Sequence, residues 1–256
     1  MKLIDSYKKL CTEFYDTDKP FAQPEEFNFY LNEARKSNHT VLEPMCGSGR
    51  FLIPLLELGV NIEGMDASSE MLESLKKKCI SKNLDPVIYH QCLQNMTINK
   101  KYGLVMIPSG SFGLIIDNKD VMDSLKNISS VLYPGGKLIL EIETPFKSDS
   151  GELINRREVI NNENIKIEFS SKSEFDKKLN ISTTDYIYRK YKMDILTGQE
   201  SETLSIRHYK VDEFSDLLTE AGFSQILSLI PYSEKAASDD DENILFICIK
   251  NQQTPY

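Results

Sequence analysis

The cysteines of this 256-residue chain are too few and too scattered to form a cysteine-rich site. The five of them, Cys11, Cys46, Cys79, Cys92 and Cys248, contain no C-x-x-C pair and are odd in number. Such a set argues against a disulfide framework or a zinc site and is typical of reduced thiols in the cytoplasm. No group of histidine, cysteine and acidic residues has metal-ligand spacing, so we expect no bound metal.

Long apolar runs are also missing. The longest uninterrupted run, residues 244–249, is far too short to cross a bilayer. The first ten residues, MKLIDSYKKL, lack the apolar core of a signal peptide. We therefore expect a soluble cytoplasmic protein, a monomer or a homodimer, that has no membrane partner.

An excess of basic residues is absent too. The 30 lysines and arginines are outnumbered by 39 acidic residues, which gives a formal net charge of −9. Without a stripe of cations to neutralise phosphates, we expect no nucleic-acid partner. The chain also has no G-x-S-x-G or P-loop sequence that would indicate hydrolase or nucleotide-triphosphate chemistry.

What the chain does contain is a glycine turn within residues 40–66, TVLEPMCGSGRFLIPLLELGVNIEGMD. An apolar strand leads into the turn Gly47-Ser48-Gly49, and a helix, a second strand and Asp66 follow. Such a turn brings backbone N–H groups close to a ligand. An acid at the tip of the next strand can accept hydrogen bonds from ribose hydroxyls. The pattern predicts a nucleoside-containing cofactor at the carboxyl ends of a parallel sheet.

Two residues argue against a dinucleotide as that cofactor. The fingerprint G-x-G-x-x-G/A needs a small third residue for close helix packing, and this chain has Leu52 there. Glu43, at the end of the first strand, would place a second anion beside a pyrophosphate in a cleft of low dielectric. A carboxylate suits a cationic sulfonium and an α-ammonium group better.

The segment EPMCGSG resembles motif I (E/D-x-x-x-G-x-G) of the class I S-adenosylmethionine-dependent methyltransferases. Residues 64–72 resemble the second-strand acid and following helix of that family, residues 132–138 its L-x-P-G-G turn, and residues 207–223 its late helix. The resemblance implies S-adenosyl-L-methionine as cofactor and methyl transfer to N or O of a small-molecule or peptide acceptor. A binding module without transferase activity and an NAD-type oxidoreductase are the alternatives.

The expected fold class is α/β, with a doubly wound, seven-stranded, mostly parallel sheet of the class I methyltransferase (Rossmann-like) type. Apolar periodicity predicts its first five strands near 40–45, 61–65, 86–90, 103–108 and 136–142. Period-two patterning near 165–169, 185–191 and 205–207 predicts an inserted antiparallel lobe. The expected division is an N-terminal helical lid (1–37), the cofactor-binding core (38–150), the lobe over the active site (151–209) and the completion of the core (210–256).

The resemblance assigns ten residues to the cofactor. They are Glu43, Met45, Cys46, Gly47, Gly49, Asp66, Ala67, Cys92, Leu93 and Ser109. Glu43 would orient the amino end, the two glycines would pass under the methionine portion, and Asp66 would take the ribose hydroxyls. Asp66 could instead cap the next helix, but Ser68 is an equally good cap.

The adenine pocket departs from the family. Cys92 and Leu93 stand where many relatives carry an acid followed by an apolar residue, and a thiol is a weak acceptor for the adenine amino group. We expect adenine to be held by apolar contacts from Leu93 and Ala67, with Gln91 or Gln94 as possible polar partners.

Six further residues are candidates for the methyl acceptor or for catalysis. Ser111 and Phe112 follow the fourth strand, beside the transferable methyl group in the family, and Phe21 and Tyr15 belong to the predicted lid. Arg207 could bind an anionic group of the acceptor, and His208 could act as a base. Tyr15 and His208 could equally be structural, as tyrosines at helical spacing and a lone strand histidine commonly are.

Overall fold

The computed structural model describes residues 3–145, 153–161 and 165–252, which form two sheets and six α-helices. The first sheet contains β1 (Val41–Pro44), β2 (Ile62–Asp66), β3 (Ile88–His90), β4 (Tyr102–Ile107), β5 (Leu132–Glu143), β10 (Phe223–Leu229) and β11 (Asn243–Lys250). The second contains β6 (Leu153–Ile160), β7 (Ile165–Asp176), β8 (Ile181–Lys192) and β9 (Ile195–Arg207). The helices are α1 (Lys9–Asp18), α2 (Pro24–Lys36), α3 (Leu52–Glu57), α4 (Ser69–Ser81), α5 (Asn118–Val131) and α6 (Val211–Glu220).

The first sheet has the strand order β10-β11-β5-β4-β1-β2-β3. Strands β1 to β5 pair in parallel, and β11 is antiparallel to both of its neighbours. The chain leaves β1 toward β2 on one side and returns to β4 on the other, so a crevice opens at the carboxyl ends of these strands. The predicted seven-stranded, mostly parallel sheet is confirmed.

Apolar side chains cover both faces of this sheet, as expected for strands buried between helices. One core cluster lies against α5 and α6 and includes Leu125, Phe214 and Phe246. The other lies against α2, α3 and α4 and includes Tyr30 and Leu75. Because the strands are immobilised by these two cores, the loops at their carboxyl ends start from fixed positions.

The helix after the glycine turn begins at Leu52, so Pro54 falls in its first turn. A proline there removes no intrahelical hydrogen bond, because the first N–H groups of a helix have no partner within it. Pro54 is therefore tolerated at this position of α3.

The second sheet is a four-stranded antiparallel meander between β5 and α6. Its strands are longer than the alternating segments in the sequence, and β6 is an additional strand. Gly198 lies inside β9, and the turn before that strand is formed by Met193 and Asp194, both with positive φ. The predicted start of the lobe at residue 151 lies outside the described residues.

Helix α1 packs on this second sheet. Leu10, Cys11 and Phe14 form a buried cluster with Ile167, Phe169 and Tyr188, and the rings of Phe14 and Phe169 stack with centroids 4.9 Å apart. Carboxylates of β9 bind the start of the helix, because Glu200 accepts hydrogen bonds from the N–H groups of Leu10 (3.0 Å) and Cys11 (3.1 Å). Helix α1 is therefore held by the lobe. No described helix is both long enough and apolar enough to span a membrane.

Candidate cofactor and acceptor site

A cavity of about 630 Å³ lies at the carboxyl ends of the parallel strands. Its lining includes seven of the residues predicted to bind the cofactor, namely Met45, Gly47, Asp66, Ala67, Cys92, Leu93 and Ser109. Residues from the N-terminal segment, among them Tyr7 and Tyr15, form a second wall, and residues 203–206 of β9 form a third. The fold therefore brings three distant parts of the chain to one cavity.

Asp66 holds the glycine turn in place. Its Oδ2 accepts a hydrogen bond from the N–H of Gly47 and its Oδ1 accepts one from the N–H of Ser68, both at 2.8 Å. Each carboxylate oxygen has two lone pairs, so both oxygens can still accept from ribose hydroxyls. The side chain that caps α4 is Ser68, whose Oγ accepts from the N–H of Met71 at 3.1 Å. The alternative in which Asp66 is the helix cap is thus wrong.

Glu43 supplies an acceptor atom that has no donor among the described residues. Its side chain is only 2% exposed, and Oε2 is buried without a hydrogen-bond partner. Burial raises the pKa of this carboxyl well above its usual value, and the nearby charge of Arg50 lowers it only partly. A buried carboxylate is costly unless it is paired. A ligand that carries an ammonium group beside the glycine turn would satisfy this atom, so the residues present fit S-adenosylmethionine.

Arg50 provides a positive charge at this end of the cavity. Its guanidinium donates a hydrogen bond of 2.6 Å to Ser109 Oγ and lies 5.8 Å from the centre of the Tyr15 ring. Ser109 in turn donates to Glu26 of α2. These contacts fix Arg50 at the cavity wall, where it can pair with the carboxylate of the amino-acid portion of the cofactor.

The opposite end of the cavity contains the predicted adenine residues. Leu93 is 3% exposed and begins a short 3₁₀ turn, and Asn127 of α5 donates hydrogen bonds to the carbonyls of Leu93 (2.9 Å) and Gln94 (3.1 Å). Burial raises the pKa of the Cys92 thiol, and the charges of Asp66 and Asp120 raise it further. The thiol therefore remains protonated near neutral pH.

Glu143, the last residue of β5, faces the cavity from the side of the second sheet. Its carboxylate accepts no hydrogen bond from the described residues and lies 3.8 Å from Nδ1 of His208. Burial raises the pKa of Glu143, while the proximity of His208 lowers it. Lys19, at the end of α1, also lines the cavity. This end of the cavity thus offers a carboxylate that an acceptor could reach.

The predicted acceptor residues are only partly brought together. Ser111 lines the cavity, but Phe112 is completely buried in the core, with its ring centroid 5.6 Å from that of Phe214. Phe21 is 73% exposed and lies outside the cavity lining. The assignments of Phe112 and Phe21 to the acceptor pocket are wrong. The 3₁₀ turn Ser111–Leu114 after β4 directs Phe112 inward, and the chain between α1 and α2 leaves Phe21 in solvent.

Arg207, the last residue of β9, and His208, which follows it, serve the fold rather than the cavity. Arg207 pairs with Glu213 of α6 at 3.0 Å and also donates to Asn118, so its guanidinium is not directed at an acceptor. Both ring nitrogens of His208 are occupied, since Nδ1 lies 3.0 Å from the carbonyl of Thr144 and Nε2 lies 2.8 Å from Ser182 Oγ. A histidine held in this way has no free lone pair with which to act as a base.

Two further predicted cofactor residues lie beneath the turn rather than at the cavity surface. Cys46 is 4% exposed, and a Cβ at Gly64 would approach its sulfur to 2.9 Å. A Cβ at Gly49 would lie 2.3 Å from Cδ1 of Leu75. The absence of side chains at Gly49 and Gly64 allows β1, β2 and α4 to pack closely beneath the turn. Gly47 lies above this packing, at the cavity surface.

Sequence reasoning did not assign a role to Tyr7, Arg50, Asp120 or Glu143. A signal was present for Arg50, which follows the glycine turn directly, and for Glu143, which ends a strand at the edge where ligands bind. Nothing in the sequence marks Tyr7 or Asp120, because they reach the cavity only through the packing of α1 and α5. Among the described residues, no group of three or more histidine, cysteine or acidic side chains is placed to hold a metal ion.

Comparison with known proteins identifies the class. A family model described as "Methyltransferase domain" matches residues 41–136. A putative methyltransferase of Geobacillus sp. (strain WCH70) is 22% identical over 95% of this chain and 96% of its own length. Glycine N-methyltransferase of Rattus norvegicus is 28% identical over 40% of each chain.

Two solved structures share the fold. An S-adenosylmethionine-dependent methyltransferase from Clostridium acetobutylicum superposes with a TM-score of 0.78 at 21% identity and covers 96% of this chain and 100% of its own. The sugar N-methyltransferase KedS8 from Streptoalloteichus sp. superposes with a TM-score of 0.75 at 15% identity, over 94% and 92% of the two chains. The family match shows a methyltransferase domain in this chain, and the two structures show that nearly the whole chain has the fold of the S-adenosylmethionine-dependent methyltransferases. Its cofactor is S-adenosyl-L-methionine.

Proposed function

We propose that the protein methylates the nitrogen of a small molecule or peptide that carries a free amine. The observation that carries the proposal is the position of Glu143, a carboxylate without a hydrogen-bond donor among the described residues, in the cavity lining at the end of β5. Strand β5 is separated by three strands from β3, after which the predicted adenine residues follow. A carboxylate attracts an ammonium group and accepts its hydrogen bonds, whereas a neutral hydroxyl gains much less from it.

The cofactor supplies a methyl group that its positively charged sulfur has already activated. The protein then has to orient the acceptor and keep water out. Helix α1 and the residues before it cover one side of the cavity, with Tyr7 and Tyr15 in its wall, and β9 covers another. An amine attacks only when it is neutral, so a proton must leave the bound ammonium. Glu143 can take that proton, because burial raises the pKa of its carboxyl.

The names of the compared proteins support nitrogen as the acceptor atom. The rat relative is named a glycine N-methyltransferase and KedS8 a sugar N-methyltransferase. A further relative from Streptomyces is named a cypemycin N-terminal methyltransferase, at 27% identity over 41% of this chain. These acceptors differ in size but share an amine.

The test compares primary amines with the alcohols of the same carbon skeleton, with S-adenosylhomocysteine formation as the readout and mass spectrometry to locate the added methyl group. We expect turnover of amines and at least about a tenfold lower kcat/KM for Glu143→Gln, the loss expected when one charge-assisted hydrogen bond disappears. Glu242→Gln is the matched control, because Glu242 lies near Glu143 but outside the cavity lining.

Three results would contradict the proposal. They are methylation of the alcohols alone, an unchanged kcat/KM in Glu143→Gln, and binding of S-adenosylhomocysteine without turnover of any amine. The last result would favour the alternative in which the protein is a cofactor-binding module.

A further inference from the structure

The adenine end of the cavity lacks the acid that the family resemblance places at residue 92, where this chain has a cysteine. The adenine amino group is a hydrogen-bond donor and requires an acceptor when it is buried. A thiol is a weak acceptor, and here it remains protonated because burial and the neighbouring charges of Asp66 and Asp120 raise its pKa. The requirement must therefore be met by another side chain of the cavity.

Asp120 of α5 is such a side chain. It lines the same cavity as Cys92 and Leu93. Gln94 donates to Oδ2 of Asp120 at 3.3 Å, whereas Oδ1 accepts no hydrogen bond from the described residues. One oxygen is thus used to orient the carboxylate, and the other is available.

The other polar groups near Cys92 have local tasks. Gln91 Oε1 accepts from the backbone N–H of Thr97 at 2.9 Å, which closes the loop after β3. Asp117 is the N-cap of α5 and accepts from the N–H groups of Lys119 (2.9 Å) and Asp120 (3.1 Å). Asp66 binds the glycine turn. Asp120 is the remaining carboxylate at this end of the cavity.

We propose that Asp120 accepts the hydrogen bond of the adenine amino group and so replaces, from a different helix, the acid that is missing at Cys92. The 3₁₀ turn that begins at Leu93 supports this role. Asn127, which lies on α5 like Asp120, donates hydrogen bonds to the carbonyls of Leu93 and Gln94 in that turn. The apolar contact and the polar contact to adenine are therefore fixed to one rigid element, α5. In the family pattern the two contacts come from adjacent residues of one loop.

Calorimetric binding of S-adenosylhomocysteine and of its 6-deamino (purine riboside) analogue tests the proposal. We expect the wild-type protein to bind S-adenosylhomocysteine about tenfold or more tightly than the analogue, because the analogue lacks only the donor. Asp120→Ala should lower the affinity for S-adenosylhomocysteine by this factor and leave the affinity for the analogue unchanged. Asp123→Ala, on the same helix but outside the cavity, is the matched control and should retain the wild-type ratio.

A rescue distinguishes recognition from a structural role. Cys92→Asp in the Asp120→Ala background returns an acid to the position expected in the family and should restore the preference for S-adenosylhomocysteine. Asp120→Asn keeps the start of α5 closer to its native form and replaces the alanine variant if that variant does not fold. It should give a ratio of the two affinities between those of wild type and Asp120→Ala. Equal wild-type affinities for the two ligands, or a parallel loss of both affinities in Asp120→Ala, would overturn the proposal.

Discussion

The carboxylate of Asp16 accepts a hydrogen bond of 2.5 Å from the hydroxyl of Ser48, which joins helix α1 to the glycine turn. The same carboxylate accepts hydrogen bonds from Ser74 (2.5 Å) and Lys78 (2.9 Å) of α4. Since the other end of α1 is bound by Glu200 of β9, this helix connects the second sheet to the cofactor-binding core. The wall of the cavity formed by α1 is therefore anchored at both ends.

Asp16→Asn should accelerate the release of S-adenosylhomocysteine. The variant keeps the shape of the side chain but loses the charge that strengthens three hydrogen bonds, so α1 should separate from the turn more readily. We expect about a tenfold higher dissociation rate constant by surface plasmon resonance. Asp18→Asn is the control, because Asp18 lies on the same helix as Asp16 but pairs with Arg157 of β6, at 3.2 Å. Equal dissociation rates in the two variants would show that Asp16 does not restrain the ligand.

Alanine should destabilise the protein more at Gly49 than at Gly47, although both glycines belong to the same turn. At Gly49 (φ +87°) a Cβ would lie 2.3 Å from Leu75 Cδ1, so Gly49→Ala should lower the free energy of unfolding by about 2–4 kcal/mol. At Gly47 (φ +54°) the nearest atom would be Met71 Sδ at 3.9 Å, so Gly47→Ala should cost only about 1–2 kcal/mol.

Ligand binding separates the same two variants. Gly47 lines the cavity, so its added methyl group should lower the affinity for S-adenosylhomocysteine at least about tenfold in folded protein. Urea unfolding and calorimetry on each variant check both quantities. A Gly49→Ala protein of normal stability, or a Gly47→Ala protein of normal affinity, would contradict the assigned roles.

Glu43→Gln should stabilise the ligand-free protein at alkaline pH. Burial raises the pKa of Glu43 well above its usual value of 4.5, so the folded state retains a proton that the unfolded state releases. The free energy of unfolding contributed by this group therefore falls as pH rises from about 4.5 through the raised pKa. The glutamine does not titrate, so its advantage over wild type in urea unfolding should increase between pH 5 and pH 8.

The same substitution should weaken ligand binding, because the buried acceptor loses its charge. Glu57→Gln, an exposed residue of α3 paired with Lys82, is the control for both measurements. A variant that is less stable than wild type at pH 8 would indicate that ionised Glu43 is already satisfied within the fold.

The pH profile of the reaction should contain an acidic limb due to Glu143. Burial raises the pKa of this carboxyl, so the ionised form that holds an ammonium group is lost as pH falls through a value above 4.5. Profiles of kcat/KM at saturating cofactor should show that limb in wild type. In Glu143→Gln the rate should be low and the limb absent, and a limb that persists unchanged would assign it to another group.

Much of the cofactor site was predictable because its residues are close together in the sequence. Met45, Gly47, Asp66 and Ala67 lie within a single strand-turn-helix-strand unit, and that unit has a fixed geometry wherever it occurs. Cys92 and Leu93 lie outside this unit, and the resemblance to the family is what indicated them. The predicted roles of these residues remain predictions, but their placement around one cavity is confirmed.

The acceptor side was less predictable, because single residues there change direction with small changes of backbone. Phe112 and Ser111 are neighbours, yet one enters the core and the other lines the cavity. Successive residues of an extended segment point to opposite sides, but the sequence does not indicate which side of the segment around Arg207 and His208 is the cavity. Packing against Asn118, Glu213, Thr144 and Ser182 decided that.

The sequence by itself determined where the core strands lie along the chain, the glycine turn and the acid that follows it, since local periodicity and backbone freedom encode these features. Only the tertiary structure decided that Tyr7, Asp120 and Glu143 meet at one cavity, and that Phe21 and His208 do not take part. Contacts between residues about a hundred positions apart depend on how helices and sheets pack, and side-chain burial rather than local pattern selects that packing.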